Sequence, residues 1–212
     1  MAVICPTVTA TTTDEYRQQI ERIAHFTKRI HLDFMDGQLT PTKSPGLDQI
    51  WWPAGVTADV HLMFRRPDQT LNVILQHQPH LAIVHAETHG DFQNFADQLH
   101  AAGIKVGVAL LANTPVSTIQ SGLDLIDHVL IFSGDLGRFG GKADLSLLRK
   151  ITELKHLKPE LEIGWDGGIN EHNVNALLSG GVDVLNVGGF IQKADDPTSA
   201  YAKLEELVTR YK

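Results

Sequence analysis

Cysteine occurs only once in these 212 residues, at Cys5, so no disulfide can close within the chain, and a reducing compartment is expected. Long apolar runs are missing too. No stretch approaches the ~20 apolar residues of a membrane-spanning helix, and the opening Met-Ala-Val-Ile-Cys-Pro reads as a strand rather than a signal peptide. Positive charge is scarce: 18 Lys and Arg stand against 25 Asp and Glu, a formal charge of -7. That balance argues against nucleic acid or an anionic membrane as a partner, since both call for basic patches. No Walker loop or dinucleotide fingerprint occurs, so no nucleotide cofactor is expected. An anionic small molecule stays open, because backbone amides bind phosphate without a cationic side chain. With 42% hydrophobic residues, the chain has enough apolar material for a core, and a cytoplasmic globular protein is the expectation.

What the sequence does contain is alternation. Strand-like runs at residues 2–7, 29–34, 58–63, 81–87, 105–111, 128–133, 162–165 and 182–187 are separated by helical or irregular connections. Helical spacing covers the segment after Asp14, then 68–78 behind Pro67, 91–102 ahead of Gly103, 116–122, 145–157, 171–179 capped by Asn170, and 198–211. Residues 36–45 are irregular, with a short helix or turn near 47–52. Eight strand-then-helix units predict an α/β fold, a single (β/α)8 TIM barrel domain over residues 1–212. An open doubly wound sheet is the runner-up; the count of eight and the final helix favour closure.

In such barrels chemistry gathers at the C-terminal strand ends. Along His31-Leu32-Asp33-Phe34-Met35, strand alternation puts His31, Asp33 and Met35 on one face and Leu32 and Phe34 on the other. Leu32 and Phe34 suit the helix-packed exterior, so His31 and Asp33 are expected to point inward. An ionised Asp there is costly unless paired or bound to metal. Asp59-Val60-His61-Leu62-Met63 repeats the pattern, and strand seven ends in Asp166-Gly167-Gly168. His31, Asp33, His61 and Asp166 form a mixed nitrogen and oxygen donor set suited to one divalent ion: Zn²⁺, Fe²⁺, Co²⁺ or Mn²⁺. Asp36-Gly37 reads as a turn. His85 and Glu87, at the end of strand four, read either as partners that orient the ligands or as inner packing.

Glycines follow the last three strands: Gly137, Gly140 and Gly141, then Gly167 and Gly168, then Gly188 and Gly189. Barrel phosphate sites are commonly assembled from such late loops, so this clustering points to an anion.

These stretches carry a resemblance. Cys5-Pro6-Thr7, His31-Leu32-Asp33-Phe34-Met35-Asp36-Gly37, Asp59-Val60-His61-Leu62-Met63, Val84-His85-Ala86-Glu87, Thr114-Pro115, Phe139-Gly140-Gly141 and Asp166-Gly167-Gly168 resemble the ribulose-phosphate 3-epimerase family over nearly the whole length. The resemblance implies a divalent metal on His31, Asp33, His61 and Asp166, with Asp33 and Asp166 as the acid/base pair. It implies Thr7, His61, Gly140, Gly141, Gly167, Gly168, Gly188 and Gly189 around a phosphorylated ketose. Met35, Met63 and Phe132 would form the pocket, and the assembly would be a homo-oligomer. The expected reaction is inversion at C3 of a ketose phosphate through an enediolate.

Departures fall on the sugar-facing parts. Thr7 stands where the family usually has Ser, Phe132 where it has a pocket methionine, Gly188-Gly189 for Gly-Ser and Leu111-Ala112 for Asn-Pro. The loop after strand six has lost its proline and gained a residue near Arg138. A ketohexulose 6-phosphate substrate, a non-catalytic sugar-phosphate binder and a metal-dependent hydrolase are therefore carried as alternatives.

Overall fold

The computed structural model describes residues 2–138 and 141–211. Eight strands form a closed parallel barrel in sequence order, with β8 returning to β1. They are β1 Val3–Thr9, β2 Arg29–Met35, β3 Thr57–Met63, β4 Leu81–His85, β5 Lys105–Leu110, β6 His128–Phe132, β7 Glu162–Asp166 and β8 Val184–Val187. The α-helices are α1 Thr13–Ile23, α2 Leu71–His77, α3 Phe92–Ala101, α4 Leu148–Leu157, α5 Val174–Ser179, α6 Gly189–Gln192 and α7 Pro197–Arg210. Among the described residues no helix is long and apolar enough to cross a membrane.

The barrel expectation holds, with local corrections. Among the described residues two crossings contain no α-helix, the first as the expected short helix or turn, the second against the helical spacing of residues 116–122. Between β2 and β3 only a 3-10 turn forms at Leu47–Gln49, because Pro41, Pro45 and Pro53 interrupt the segment. Between β5 and β6 the segment Val116–Leu125 is wound as 3-10 helix; β-branched residues and Gly122 weaken the α alternative there. Asn170 does not cap a helix beginning at 171. Its Oδ1 accepts from the His172 N–H in a turn that precedes α5. The first strand runs two residues past its expected end, to Thr9, and the fourth stops at His85.

Alternation divides the side chains as expected. Leu32, Phe34, Val60, Leu62, Val84, Val108, Ile131, Ile163 and Trp165 pack outward into the large core beneath the helices. Inside the barrel, Leu81, Ile83, Ala109 and Leu130 make a separate apolar plug. The inner faces of β1, β2, β3 and β7 are polar instead, with Thr7, Thr9, His31, Asp33, Asp59, His61 and Asp166 all buried.

At the closed, N-terminal end this polar column is an ion network. Arg29 Nε donates to Asp59 Oδ2 over 2.7 Å, and its Nη1 and Nη2 grip both Glu162 oxygens at 3.1 and 3.0 Å. His128 Nδ1 donates to Glu162 Oε2 over 2.8 Å. Asp59, which shares a strand face with His61, thus belongs to this end and not to the open one. A forked guanidinium suits two carboxylates from different strands. Burial would raise the Glu162 carboxyl, but His128 and Arg29 outweigh it and hold it well below the ordinary range.

Two consequences are measurable by urea unfolding. Arg29→Met strands a buried Asp59 charge and should cost roughly 3 kcal/mol at neutral pH, with Arg29→Met/Asp59→Asn recovering part of the loss. Because Glu162 is depressed in the folded state, its contribution is full above the ordinary glutamate range and fades as pH drops below about 4. Glu162→Gln should therefore be less stable than wild type at pH 7, and the gap should narrow in acid. A gap that widens in acid would contradict the network.

Candidate metal and substrate site

The parallel register assembles the open end. Asp33 is the Cα partner of Thr9 on one side and His61 on the other, while Asp166 pairs with Phe132 and Asn186. One donor atom each from His31, Asp33, His61 and Asp166 lies within 4.8 Å of every other. His61 Nδ1 is 2.9 Å from Asp33 Oδ1. His31 Nε2 is 3.2 Å from the same oxygen and 3.8 Å from Asp166 Oδ2, yet it is aligned for a hydrogen bond with neither. Both imidazoles are fully buried and the two carboxylates nearly so.

The electrostatics of the two acids differ. Burial would raise Asp33, but the His31 and His61 imidazoles outweigh it and hold the carboxyl well below its usual range. Asp166 is pushed the other way, upward, by burial and by the neighbouring Asp33 charge. Burial lowers His61 to about 4. For His31 burial works downward as well, but Asp33 and Asp166 reverse it and leave the ring above its ordinary value.

The donor set fits a divalent cation. Ligand bonds of about 2.1 Å place neighbouring ligands about 3.0–3.5 Å apart, close to the 3.2 and 2.9 Å that separate Asp33 Oδ1 from His31 Nε2 and His61 Nδ1. An imidazole nitrogen aimed at two carboxylates without a hydrogen bond to either is the polar orphan that such an ion would satisfy. Thr9 steadies the cluster, its hydroxyl donating to Asp33 Oδ2.

Above the cluster is a cavity of about 290 Å³, lined by Thr7, Thr9, Asp33, Met63, Phe132, Asp166, Asn186 and by Gly141, Gly167, Gly168, Gly188 and Gly189. Phe132 stands over the imidazoles, its ring 6.1 Å from that of His61 and 6.0 Å from that of His85. Gly167 and Gly168 are glycine of necessity. Both have positive φ, 111° and 70°, and a Cβ on Gly167 would come within 2.5 Å of the Gly134 nitrogen. A Cβ on Gly168 would collide with the backbone nitrogen of Ala143. The loop after β6 thus packs backbone to backbone on the loop after β7 and shapes one wall.

Most residues singled out in the sequence meet here. Met35 does not: it is buried but is not among the cavity-lining residues, and its backbone is tied to Ser44 in the loop that follows β2. His61 lies beneath the lining and faces the cluster. Gly140 falls outside the described residues. The sequence singles out Thr7 but not Thr9, because its apolar run ends at residue 7; extending the same alternation by two residues reaches Thr9. It also passes over Asn186 and Lys193, and notes Asn170 only as a helix cap and Arg138 only as an insertion; all four line the cavity. Asp36 is the expected turn residue, accepting from the backbone of Gln38, Leu39 and Arg65. A second hollow, about 200 Å³, lies outside the barrel wall between α3 and the 3-10 segment, against Val84, Phe95, Val108 and Ile119. It contains none of the four clustered residues.

The sequence model of the "Ribulose-phosphate 3 epimerase family" matches residues 3–191. A ribulose-phosphate 3-epimerase of Bacillus subtilis is 29% identical over 183 residues, covering 82% of this chain and 84% of its own length. One from Aquifex aeolicus is 30% identical over 186 residues, covering 84% of each. Among solved structures, a 3-hexulose-6-phosphate synthase superposes with a TM-score of 0.71 at 15% identity, over 96% of this chain and 98% of that one. The synthase from Salmonella typhimurium gives 0.71 at 16%, over 99% of both. At these identities the structural likeness speaks for the fold.

A cation that binds only the folded cluster must stabilise it, by about 2.7 kcal/mol at a hundredfold excess over its dissociation constant. Zn²⁺ or Co²⁺ should therefore raise the thermal midpoint of the wild type, and the rise should vanish in His31→Leu. An equal rise in that variant would place the cation elsewhere.

Proposed function

The chain belongs to the ribulose-phosphate 3 epimerase family, and on that footing we propose that it inverts C3 of a ketose phosphate of the ribulose 5-phosphate/xylulose 5-phosphate type. One observation carries this reading: two carboxylates from distant strands, Asp33 on β2 and Asp166 on β7, reach the same small cavity and are displaced in opposite directions. Epimerisation next to a ketone needs one group to take a proton and another to return one from the opposite face. Asp33, whose carboxyl the two imidazoles hold ionised, is the base; Asp166, whose carboxyl burial and the Asp33 charge push upward, is the acid, and the roles exchange in the reverse direction.

A divalent ion on His31, Asp33, His61 and Asp166 would supply stabilisation of the negative charge that develops on the sugar oxygens. Thr9 keeps Asp33 oriented by its hydrogen bond. Phe132 and Met63 exclude water from the reacting carbon. At the far side of the cavity, the backbone around Gly167, Gly168, Gly188 and Gly189 receives the phosphate, and Arg138 and Lys193 bring positive charge to the same lining. A volume of about 290 Å³ suits a small polar ligand.

A ketohexulose 6-phosphate is the second reading, left open by the departures at Phe132 and at residues 134–142, which fall on the sugar-facing parts. The homo-oligomer remains part of the proposal on the strength of the family resemblance, and the free, buried Cys5 accords with a cytoplasmic setting.

Proton NMR of candidate ketose phosphates in D₂O tests the reaction directly. The wild type should wash out the C3 proton of its substrate and equilibrate the two epimers. Asp33→Asn and Asp166→Asn should each slow both processes by about 10²–10⁴-fold. Wild-type exchange in either variant would remove that residue from proton transfer, and cleavage products in place of an epimer would favour hydrolysis.

A further inference from the structure

β4 ends on His85, whose Nε2 sits 2.8 Å from His61 Nε2. Both rings are buried, inclined to each other by 28° with centroids 4.9 Å apart. The other nitrogen of His61, Nδ1, faces Asp33; the other nitrogen of His85, also Nδ1, lies 3.4 Å from Glu87 Oε2, and these two buried atoms have no other hydrogen-bond partner and are not yet aligned for one with each other. The result is an unbranched chain, Asp33–His61–His85–Glu87, with a carboxylate at each end.

Proton counting gives this chain a direction. It has three gaps, each of which needs a proton or a cation between the two atoms that face each other. Two neutral imidazoles bring two protons, and ionised carboxylates only accept. A cation between Asp33 and His61 fills the first gap, and the two protons then fill the others. His61 carries its proton on Nε2 and donates to His85 Nε2; His85 carries its own on Nδ1 and donates to Glu87. Any other distribution leaves two lone pairs opposed, or calls for an imidazolium inside the barrel at a desolvation cost.

Glu87 is itself fixed from behind. The Thr114 hydroxyl and the Leu111 N–H both donate to its Oε1. The buried Lys150 then pins the same loop, donating to Leu111 O and Thr114 O over 2.6 and 2.7 Å.

We propose that Glu87 and His85 are positioning residues that lock His61 in its Nε2–H form and so present the Nδ1 lone pair to the divalent ion. Outer partners of this kind fix both the tautomer and the ring orientation of a ligand histidine. The inference rests on the metal reading given above.

The test uses Zn²⁺, whose filled d shell permits NMR. In the Zn²⁺-loaded wild type, long-range ¹H–¹⁵N correlation should find the ring proton of His61 on Nε2 and that of His85 on Nδ1. Competition with a chromophoric chelator should give His85→Phe a Zn²⁺ affinity roughly 10–100-fold below wild type. His85→Gln, whose carbonyl can still accept from His61, should recover part of that loss. Glu87→Leu lies farther from the cluster and should shift affinity in the same direction even if His85→Phe fails to fold. Equal affinity in wild type and the folded variants, or a proton on His85 Nε2, would overturn the relay alone. Failure of the wild type to take up any divalent ion would overturn the metal reading with it.

Discussion

Asp33 is a carboxylate held almost out of water, and the open end of the barrel is arranged around the cost of keeping it charged. A lone ionised carboxylate in such a place would neutralise or unfold its surroundings. Here Thr9 donates to one oxygen, and the imidazoles of His31 and His61 stand within 3.2 Å of the other. The parallel register brings these groups into contact, since Thr9, Asp33 and His61 are successive Cα partners on β1, β2 and β3. A slip of one residue would turn Asp33 out toward the helices and Phe34 in. The same register places Asp166 beside Phe132 and Asn186, which brings the second carboxylate to the cavity from the other side.

The barrel interior is divided lengthwise as well as from end to end. Leu81, Ile83, Ala109 and Leu130 plug the side formed by β4, β5 and β6, while the side formed by β1, β2, β3 and β7 carries polar groups along its height. At the closed end the polar column terminates in the Arg29–Asp59–Glu162–His128 network, in which every charge faces an opposite one or a hydrogen-bonding imidazole. At the open end two carboxylates and two imidazoles converge instead, a donor set that fits a divalent cation. The two ends thus divide stability from chemistry, the usual arrangement in barrels of this kind.

Much of this was legible in the sequence because strand alternation is a strict rule. Leu32 and Phe34 on one face, His31 and Asp33 on the other, is a pattern that only one orientation satisfies, and the cluster followed from repeating it on three strands. Alternation does not tell height along the barrel. Asp59 is in phase with His61 yet sits at the opposite end, and Thr9 was lost by closing its strand at residue 7. The 3-10 winding after β5 is harder to see, because the apolar spacing of a 3-10 segment resembles that of a short α-helix. Contacts made by backbone, such as Gly167 against Gly134, leave only glycine as their trace, and glycine has many uses.

The central claim is that one divalent ion joins the four residues at the mouth of the barrel. Anomalous X-ray diffraction from crystals grown with Zn²⁺ or Co²⁺ measures this directly. A single peak is predicted, within about 2.3 Å of a nitrogen of His31 and His61 and an oxygen of Asp33 and Asp166. A peak bound elsewhere, with these four side chains still hydrogen-bonded only to one another, would contradict the account.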